Sequence, residues 1–319
     1  MIETAEEAKG TTASEPPASR ACFLIARSSS RMIRLLPRRL CEWGGDRVAD
    51  AAFLTSRRYR ANSRANLRQV VGPEVSADRV RLLARQAFRT SVHNMIDLLR
   101  FQGPDAVTLD QLAGADRPDW SILDCALAQG RGVVLVTAHL GAFDGLGRVL
   151  AASGYRLTVV VGRTLTRAIF DAAVALRRAL GVEVVEASPT GVRRMIASLR
   201  RGECVGFPAD RDFFHNGVPV EFFGRRTSLP SGAVRLAREA GAPIVAAYLR
   251  RAGAGFDLTL EGPFVVPRTA DRRADVAAGM DAIVASLTRA VAATPGQWAV
   301  FQPVWPGAGT DGRRCGSSS

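Results

Sequence analysis

His139 and Asp144 are the residues whose types and spacing most directly imply chemistry, within Arg131–Leu150, RGVVLVTAHLGAFDGLGRVL. An imidazole and a carboxylate five positions apart can act as a pair. The carboxylate accepts a hydrogen bond from one ring nitrogen, sets the tautomer and stabilises the imidazolium. The other nitrogen then takes a proton from a substrate hydroxyl. On its own this spacing is weak, because chance pairs are common. Its setting adds weight. Gly-Val-Val-Leu-Val-Thr reads as a short buried parallel strand, and apolar periodicity resumes through Leu146, Val149 and Leu150. The pair therefore sits on a loop at the carboxyl end of a strand, where open α/β sheets place their ligands.

Other chemistries find little support. The three histidines, His93, His139 and His215, are far apart in the chain, so no multi-histidine metal site is expected. His93 lies within a helical pattern and takes no role. Five cysteines are scattered without a C-x-x-C pair, which argues against a disulfide framework and a structural zinc site and fits a reducing compartment. Gly141, Gly145 and Gly147 resemble the glycine loop of short-chain dehydrogenases, but those need a Tyr-x-x-x-Lys pair, and Lys9 is the only lysine. No G-x-S-x-G elbow or P-loop is present.

The elements that must position the pair follow from the wider pattern. From Trp120 onward strands and helices alternate: VVLVTA, a helix over 142–153, LTVVV, a helix over 166–180, VEVVE, a helix over 190–201, and CVGFP. A helix near 231–240, the strands IVAAYL and DLTLE, and a long helix near 272–293 complete the series. Such alternation predicts an α/β fold with a mostly parallel central sheet flanked by helices. An N-terminal helical extension precedes it, with Ser76 as a helix N-cap. The division expected is a disordered leader over 1–19, a helical, membrane-facing part over 20–105, an α/β core over 106–307 and a disordered tail over 308–319.

Charge narrows the partners. There are 43 basic and 30 acidic residues, a net +13, and the basicity is almost wholly arginine. That favours anionic partners such as phospholipid surfaces, phosphate-bearing substrates or nucleic acid. Aromatic residues are only 7% and no nucleic-acid-binding motif appears, so no nucleic acid is expected. Arg20, Arg27, Arg31, Arg34 and Arg38 fall along one helical stripe, as in a helix lying in an anionic membrane interface or in one packed on the domain. No uninterrupted apolar run approaches the roughly 18 residues of a membrane span.

Further segments at strand ends reinforce the loop. LTVVVGR puts Arg163 at the end of the strand after the His139 helix. FPADRDFFHNGVPVEFFGRR carries Asp210, Arg211 and Asp212 and then Phe-Phe-Gly-Arg with Arg225. TSLPSGAVRLAREAGAPIVAAYL reads as a helix after Pro230, closed by Gly241 and leading into a strand. Singly, each reads as a solvated arginine or a loop ion pair.

Taken in order, HLGAFD, VVVGR, PADRD and VEFFGRRTSLPSGAVRLAREAGAPIV resemble the lysophospholipid acyltransferase superfamily. The branch most similar is that of the lipid A lauroyl/myristoyl acyltransferases and the phosphatidylinositol mannoside acyltransferase. The resemblance covers roughly Leu35 to Trp305 and includes RANLRQVVG and QAFRTSVHNMIDLLRF. It implies transfer of an acyl chain from acyl-CoA or acyl carrier protein to a lipid-linked hydroxyl, at the cytoplasmic face of the inner membrane. His139 would be the general base, supported by Asp144. Oxyanion donors would come from the turn at Leu140 and Gly141 or the loop at Pro230. Arg163, Arg211 and Arg225 would hold phosphate or sugar-phosphate groups, with Asp210 and Asp212 positioning them or touching the acceptor. Phe222 and Phe223 fit an acyl channel or the core. No metal or bound cofactor is required. The alternatives are a basic nucleic-acid-binding protein, motivated by the charge and arginine richness, and a catalytically inactive lipid-binding member of the same fold.

Overall fold

Val133–Thr137 (β1, VVLVT) is buried through its first four residues, as a β-branched run between neighbours on both sides requires. The computed structural model describes Ile33 and residues 35–101, 119–161, 167–213, 215–253 and 255–305. The leader, the tail, the arginine stripe from Arg20 to Arg34, the boundary at 105/106 and Arg163 lie outside the described residues.

Among the described residues the N-terminal part is built of Arg38–Thr55 (α1), Arg57–Val71 (α2) and Ala77–Arg100 (α3). Ser76 caps α3 by accepting a hydrogen bond from the Arg79 N–H at 3.2 Å. Ser121–Leu127 (α4) leads into β1. Then follow Phe143–Ala152 (α5), Leu157–Val161 (β2), Arg167–Arg178 (α6), Val182–Glu186 (β3), Pro189–Arg200 (α7) and Cys204–Pro208 (β4). After a hairpin of Val218–Phe222 (β5) and Arg225–Leu229 (β6) come Gly232–Ala240 (α8), Ile244–Ala252 (β7), Gly255–Phe264 (β8) and Arg272–Ala293 (α9).

The main sheet has the order β3-β2-β4-β1-β7-β8. All its pairings are parallel except β7 with β8. Alternate β1 side chains enter two cores. Val134 and Val136 pack with α1–α3, α7, α8 and α9, while Val133 and Leu135 pack with α4, α5 and α6. Helix α3 contributes to both cores, through Phe88 to one and Leu98 to the other. Helix α9 is long and apolar enough to cross a membrane, but half of its apolar stretch is buried in the protein. Met280, Ile283, Leu287 and Val291 lie in the core, which accounts for its composition without a bilayer.

The β5–β6 hairpin replaces what reads in sequence as loop. Phe222 pairs with Arg225, leaving Phe223 and Gly224 as a two-residue turn with φ of 50° and 70°, as in a type I′ hairpin turn. A phenylalanine there carries backbone strain. It is held by a hydrogen bond from Gln69 Nε2 to its carbonyl (2.9 Å) and by its ring against Trp305.

Candidate active site

Two neighbouring parallel strands deliver the central pair. In the β1–β4 ladder Thr137 lies opposite Pro208, and the ladder runs one step further as the Ala209 N–H donates to the Thr137 carbonyl at 2.9 Å. Two residues beyond that register, His139 meets Asp210. The His139 ring Nδ1 lies 2.7 Å from Asp210 Oδ1, and the His139 backbone N–H donates to Asp210 Oδ2 at 2.8 Å. Trp298 Nε1–H donates to the same Oδ2 at 2.9 Å. Asp210 is fully buried, whereas the His139 side chain keeps 15% of its surface exposed. A buried carboxylate is tolerated when several donors surround it. Burial alone raises the Asp210 carboxyl, but the charge of His139 and the hydrogen bonds from His139 and Trp298 outweigh it. They hold the carboxyl below its ordinary range.

The expected partner of the ring, Asp144, is thereby corrected. Its carboxylate lies in the first turn of α5 and faces other groups: Asn94 Nδ2 on α3 (2.8 Å), and Arg177 Nε (2.9 Å) and Nη2 (2.7 Å) on α6. The physical reason is direction. The strand register points Asp210 at the imidazole, while the turn of α5 carries Asp144 toward α3 and α6. An acidic residue in a first helical turn also complements the helix dipole. Phe143, between them in sequence, sets its ring edge against that of His139 at 4.9 Å.

The histidine loop is pinned by a segment that sequence reasoning passed over, Gln297–Gln302. The Gly141 N–H donates to the Gln297 carbonyl (3.1 Å), the Ala299 N–H to the His139 carbonyl (2.8 Å), and the Ala142 N–H to the Leu249 carbonyl (2.8 Å). Leu140 is buried and bridges Trp298. The Gly141 and Ala142 N–H groups are therefore already engaged, which corrects Gly141 as a ready oxyanion donor. Gly141 has φ of 60°, and a Cβ there would lie 2.3 Å from the Leu249 carbonyl oxygen, so only glycine fits this turn. Pro230, in the loop that is the other expected source of donors, is half-buried ahead of α8.

Asn62 and Asn66, on RANLRQVVG, hold the same segment from α2. Asn62 Nδ2 donates to the Phe301 carbonyl (3.0 Å), and Asn66 Nδ2 to those of Val300 (3.2 Å) and Gln302 (2.8 Å). The Val304 N–H returns a bond to Asn66 Oδ1 at 3.1 Å. The available signal was the buried placement of polar residues four apart in a helix, together with two tryptophans whose N–H groups need partners.

The remaining predicted residues divide. Arg211 is half-buried beside Asp210, donates to Gln302 Oε1 at 2.6 Å and stacks over Phe213 at 5.6 Å. Burial lowers its pKa from the ordinary arginine value, opposed by the charge of Asp210. Asp212 closes the following loop, accepting from the N–H groups of Asn216 (3.1 Å) and Gly217 (2.8 Å) and from Ser228 Oγ (2.7 Å). Burial alone would raise its carboxyl, but these donors hold it below the ordinary value. Arg225 is exposed at the turn end of the hairpin, away from the Asp212 end. Phe222 is fully buried and stacks on Trp305 at 5.6 Å, so it is core. Among the described residues, no group of three His, Cys, Asp or Glu side chains is placed to hold a metal ion.

A histidine held by a buried aspartate at the carboxyl edge of a parallel sheet has the geometry that acid–base chemistry requires. The model of the bacterial lipid A biosynthesis acyltransferase family matches residues 18–306, and the chain belongs to that family of acyltransferases. It is 30% identical to the phosphatidylinositol mannoside acyltransferase of Mycobacterium tuberculosis (strain CDC 1551 / Oshkosh) over 275 residues, 80% of this chain and 81% of that protein. It is 29% identical to the protein of the same name from Mycolicibacterium smegmatis over 307 residues, 89% of this chain and 91% of that one.

Proposed function

We propose that the protein moves a fatty acyl chain from acyl-CoA or acyl carrier protein to a hydroxyl of a phosphatidylinositol-mannoside-like glycolipid, with His139 as general base. The observation that carries this reading is the Asp210 anchor on Nδ1 (2.7 Å), which leaves Nε2 as the nitrogen for the substrate. The acceptor oxygen attacks the thioester carbonyl carbon as Nε2 takes its proton. The tetrahedral oxyanion then collapses, the carbon–sulfur bond breaks, and the thiolate leaves with the proton from the imidazolium. Asp210 keeps the tautomer and faces the imidazolium charge, the role of an orienting carboxylate in a triad. Asp144 keeps the start of α5 in place rather than touching the ring.

Arg211 and Arg163 bind phosphate groups of donor or acceptor, where a planar guanidinium fork suits phosphate. The glycolipid acceptor is inferred from the names of the relatives; a lipid acceptor supports membrane association, and our reading puts the enzyme peripherally at the cytoplasmic face of the plasma membrane. No metal enters this mechanism. Replacing His139→Ala is expected to lower acyl transfer to a mannoside lipid by roughly a hundredfold or more, with an unchanged melting profile. Turnover close to wild type in the folded variant refutes the base assignment.

A further inference from the structure

Three consecutive residues outside the reacting pair hold it in place. The Gln297 carbonyl accepts from the Gly141 N–H (3.1 Å), Trp298 Nε1–H donates to Asp210 Oδ2 (2.9 Å), and the Ala299 N–H donates to the His139 carbonyl (2.8 Å). Whatever fixes residues 297–299 therefore sets the aim of both His139 and Asp210. Asn62 and Asn66 hold the chain just beyond, at residues 300–302. At the other end the tie is the side chain of Gln297.

That tie is made to the end of β7. Strand β7 pairs with β1 as far as Ala246, opposite Val136, so its last residues stand beyond β1 and beside the His139 loop. Arg251 lies opposite Phe256 in the β7–β8 ladder, yet both its backbone groups turn to Gln297. The Arg251 N–H donates to Gln297 Oε1 at 2.8 Å, and Gln297 Nε2 donates to the Arg251 carbonyl at 2.9 Å. A side-chain amide offers a donor and an acceptor side by side, as the backbone of a neighbouring strand does. Gln297 thus stands in for one residue of a further strand. Gly141 is packed against this joint, because a Cβ there would lie 2.8 Å from Arg250 Cα and 3.1 Å from Gln297 Oε1. Arg251 is itself anchored: its guanidinium pairs with buried Asp97 on α3 and lies 5.4 Å over the Phe256 ring. Asn94, three residues before Asp97 and on the same face of α3, donates to Asp144 at 2.8 Å. Helix α3 therefore holds the His139 loop twice, through Asp144 and, by way of Arg251 and Gln297, through Gly141.

We propose that Gln297 is a positioning residue for the transfer reaction: its side-chain amide locks residues 297–299 to the end of β7 and so sets the direction of the His139 ring and of its Asp210 anchor. The inference rests on the acyl-transfer reading for its kinetic consequence and on the His139–Asp210 contact alone for its spectroscopic one. Without the amide, the half-buried N–H and carbonyl of Arg251 lose their partners and the segment is free to shift. A misplacement of about 1 Å at a reacting group costs on the order of a hundredfold in rate.

The test compares variants of the full chain by steady-state transfer from acyl-CoA or acyl carrier protein to a detergent-dispersed mannoside lipid. It also follows the low-field proton resonance of His139 Nδ1–H, assigned by its loss in His139→Ala. Gln297→Ala is expected to lower kcat about ten- to a hundredfold, with KM for both substrates within about threefold of wild type, since no substrate contact is removed. Gln297→Glu keeps the length but, at about pH 8, sets a carboxylate oxygen against the Arg251 carbonyl, and it should lose at least as much. In both variants the His139 resonance is expected to shift or broaden. Ser286→Ala is the control: it removes the buried hydrogen bond between Ser286 on α9 and Tyr248 on β7 (2.9 Å) and should lower the melting midpoint while leaving kcat and the resonance unchanged. A kcat close to wild type in either Gln297 variant, a change confined to KM, an equal loss in Ser286→Ala or an unmoved resonance overturns the inference. So does a failure of both Gln297 variants to fold, which would make the residue structural. If wild type transfers no acyl chain to any lipid acceptor, the acyl-transfer reading falls and the resonance alone decides: shifted in Gln297→Ala, the positioning role stands, and unmoved, it falls.

Discussion

Asp144 and Asp210 are two aspartates near one histidine, and they do opposite things. Asp210 is fully exposed to the protein and not at all to water, with its donors being the His139 ring, the His139 backbone and Trp298. Asp144 is the nearer in sequence, yet its carboxylate serves Asn94 and Arg177 and ties α5 to α3 and α6. One carboxylate is aimed at a proton-transfer group, while the other is cross-linked to cationic and amide groups that hold helices. Nearness along the chain is therefore a poor guide to which carboxylate orients a base. Strand register is the better one.

The largest expected effect that separates the two is Asp210→Asn. An amide in that place removes the charge facing the imidazolium and allows the wrong tautomer, so kcat is expected to fall roughly a thousandfold or more. Steady-state kinetics with a folded variant measures it, and a loss no greater than that of Asp144→Asn would break the contrast.

Trp298→Phe comes next. It removes one donor from the buried carboxylate, with a cost typical of a hydrogen bond to a charged group. We expect kcat/KM to drop about tenfold and the acid limb of its pH profile to move up by about one unit. The sign follows from the donors: they hold the Asp210 carboxyl below its ordinary range, and losing one raises the proton affinity of that carboxylate. Activity on the acid side then fails at a higher pH. A drop in kcat/KM with an unmoved limb would assign Trp298 to packing alone.

Asp144→Asn is the smallest of the three for catalysis. No proton passes through this residue, so kcat is expected to change by less than about tenfold. Stability should fall by about 1–3 kcal/mol, since the ionised carboxylate that ties α5 to Arg177 on α6 is lost. Paired thermal melts and kinetics sharpen the comparison, because Asp210→Asn should show the reverse balance.

Much of the fold was legible because it depends on local pattern. Short apolar or alternating runs mark β1 to β4 where the structure has them, and helical periodicity places α5 and α9 within a residue or so. The β5–β6 hairpin was missed because its turn uses Phe223 in a left-handed conformation, where asparagine, aspartate or glycine is the usual signal. In the site, His139 is legible from its place at the end of a buried strand. Asp210 stands out in sequence as a substrate-binding residue rather than as the partner of His139, and no local pattern marks Trp298.

The chain by itself determined that a histidine would stand on a loop at the carboxyl edge of a parallel sheet, because strand and helix patterns are written in neighbouring residues. Only the tertiary structure decided which carboxylate faces that histidine. The order β4-β1 in the sheet brings together residues 71 apart, and Trp298 reaches Asp210 across a separation of 88. Such contacts follow from which strands become neighbours and in what register, a choice made by the burial of both sheet faces at once rather than by any stretch of sequence alone.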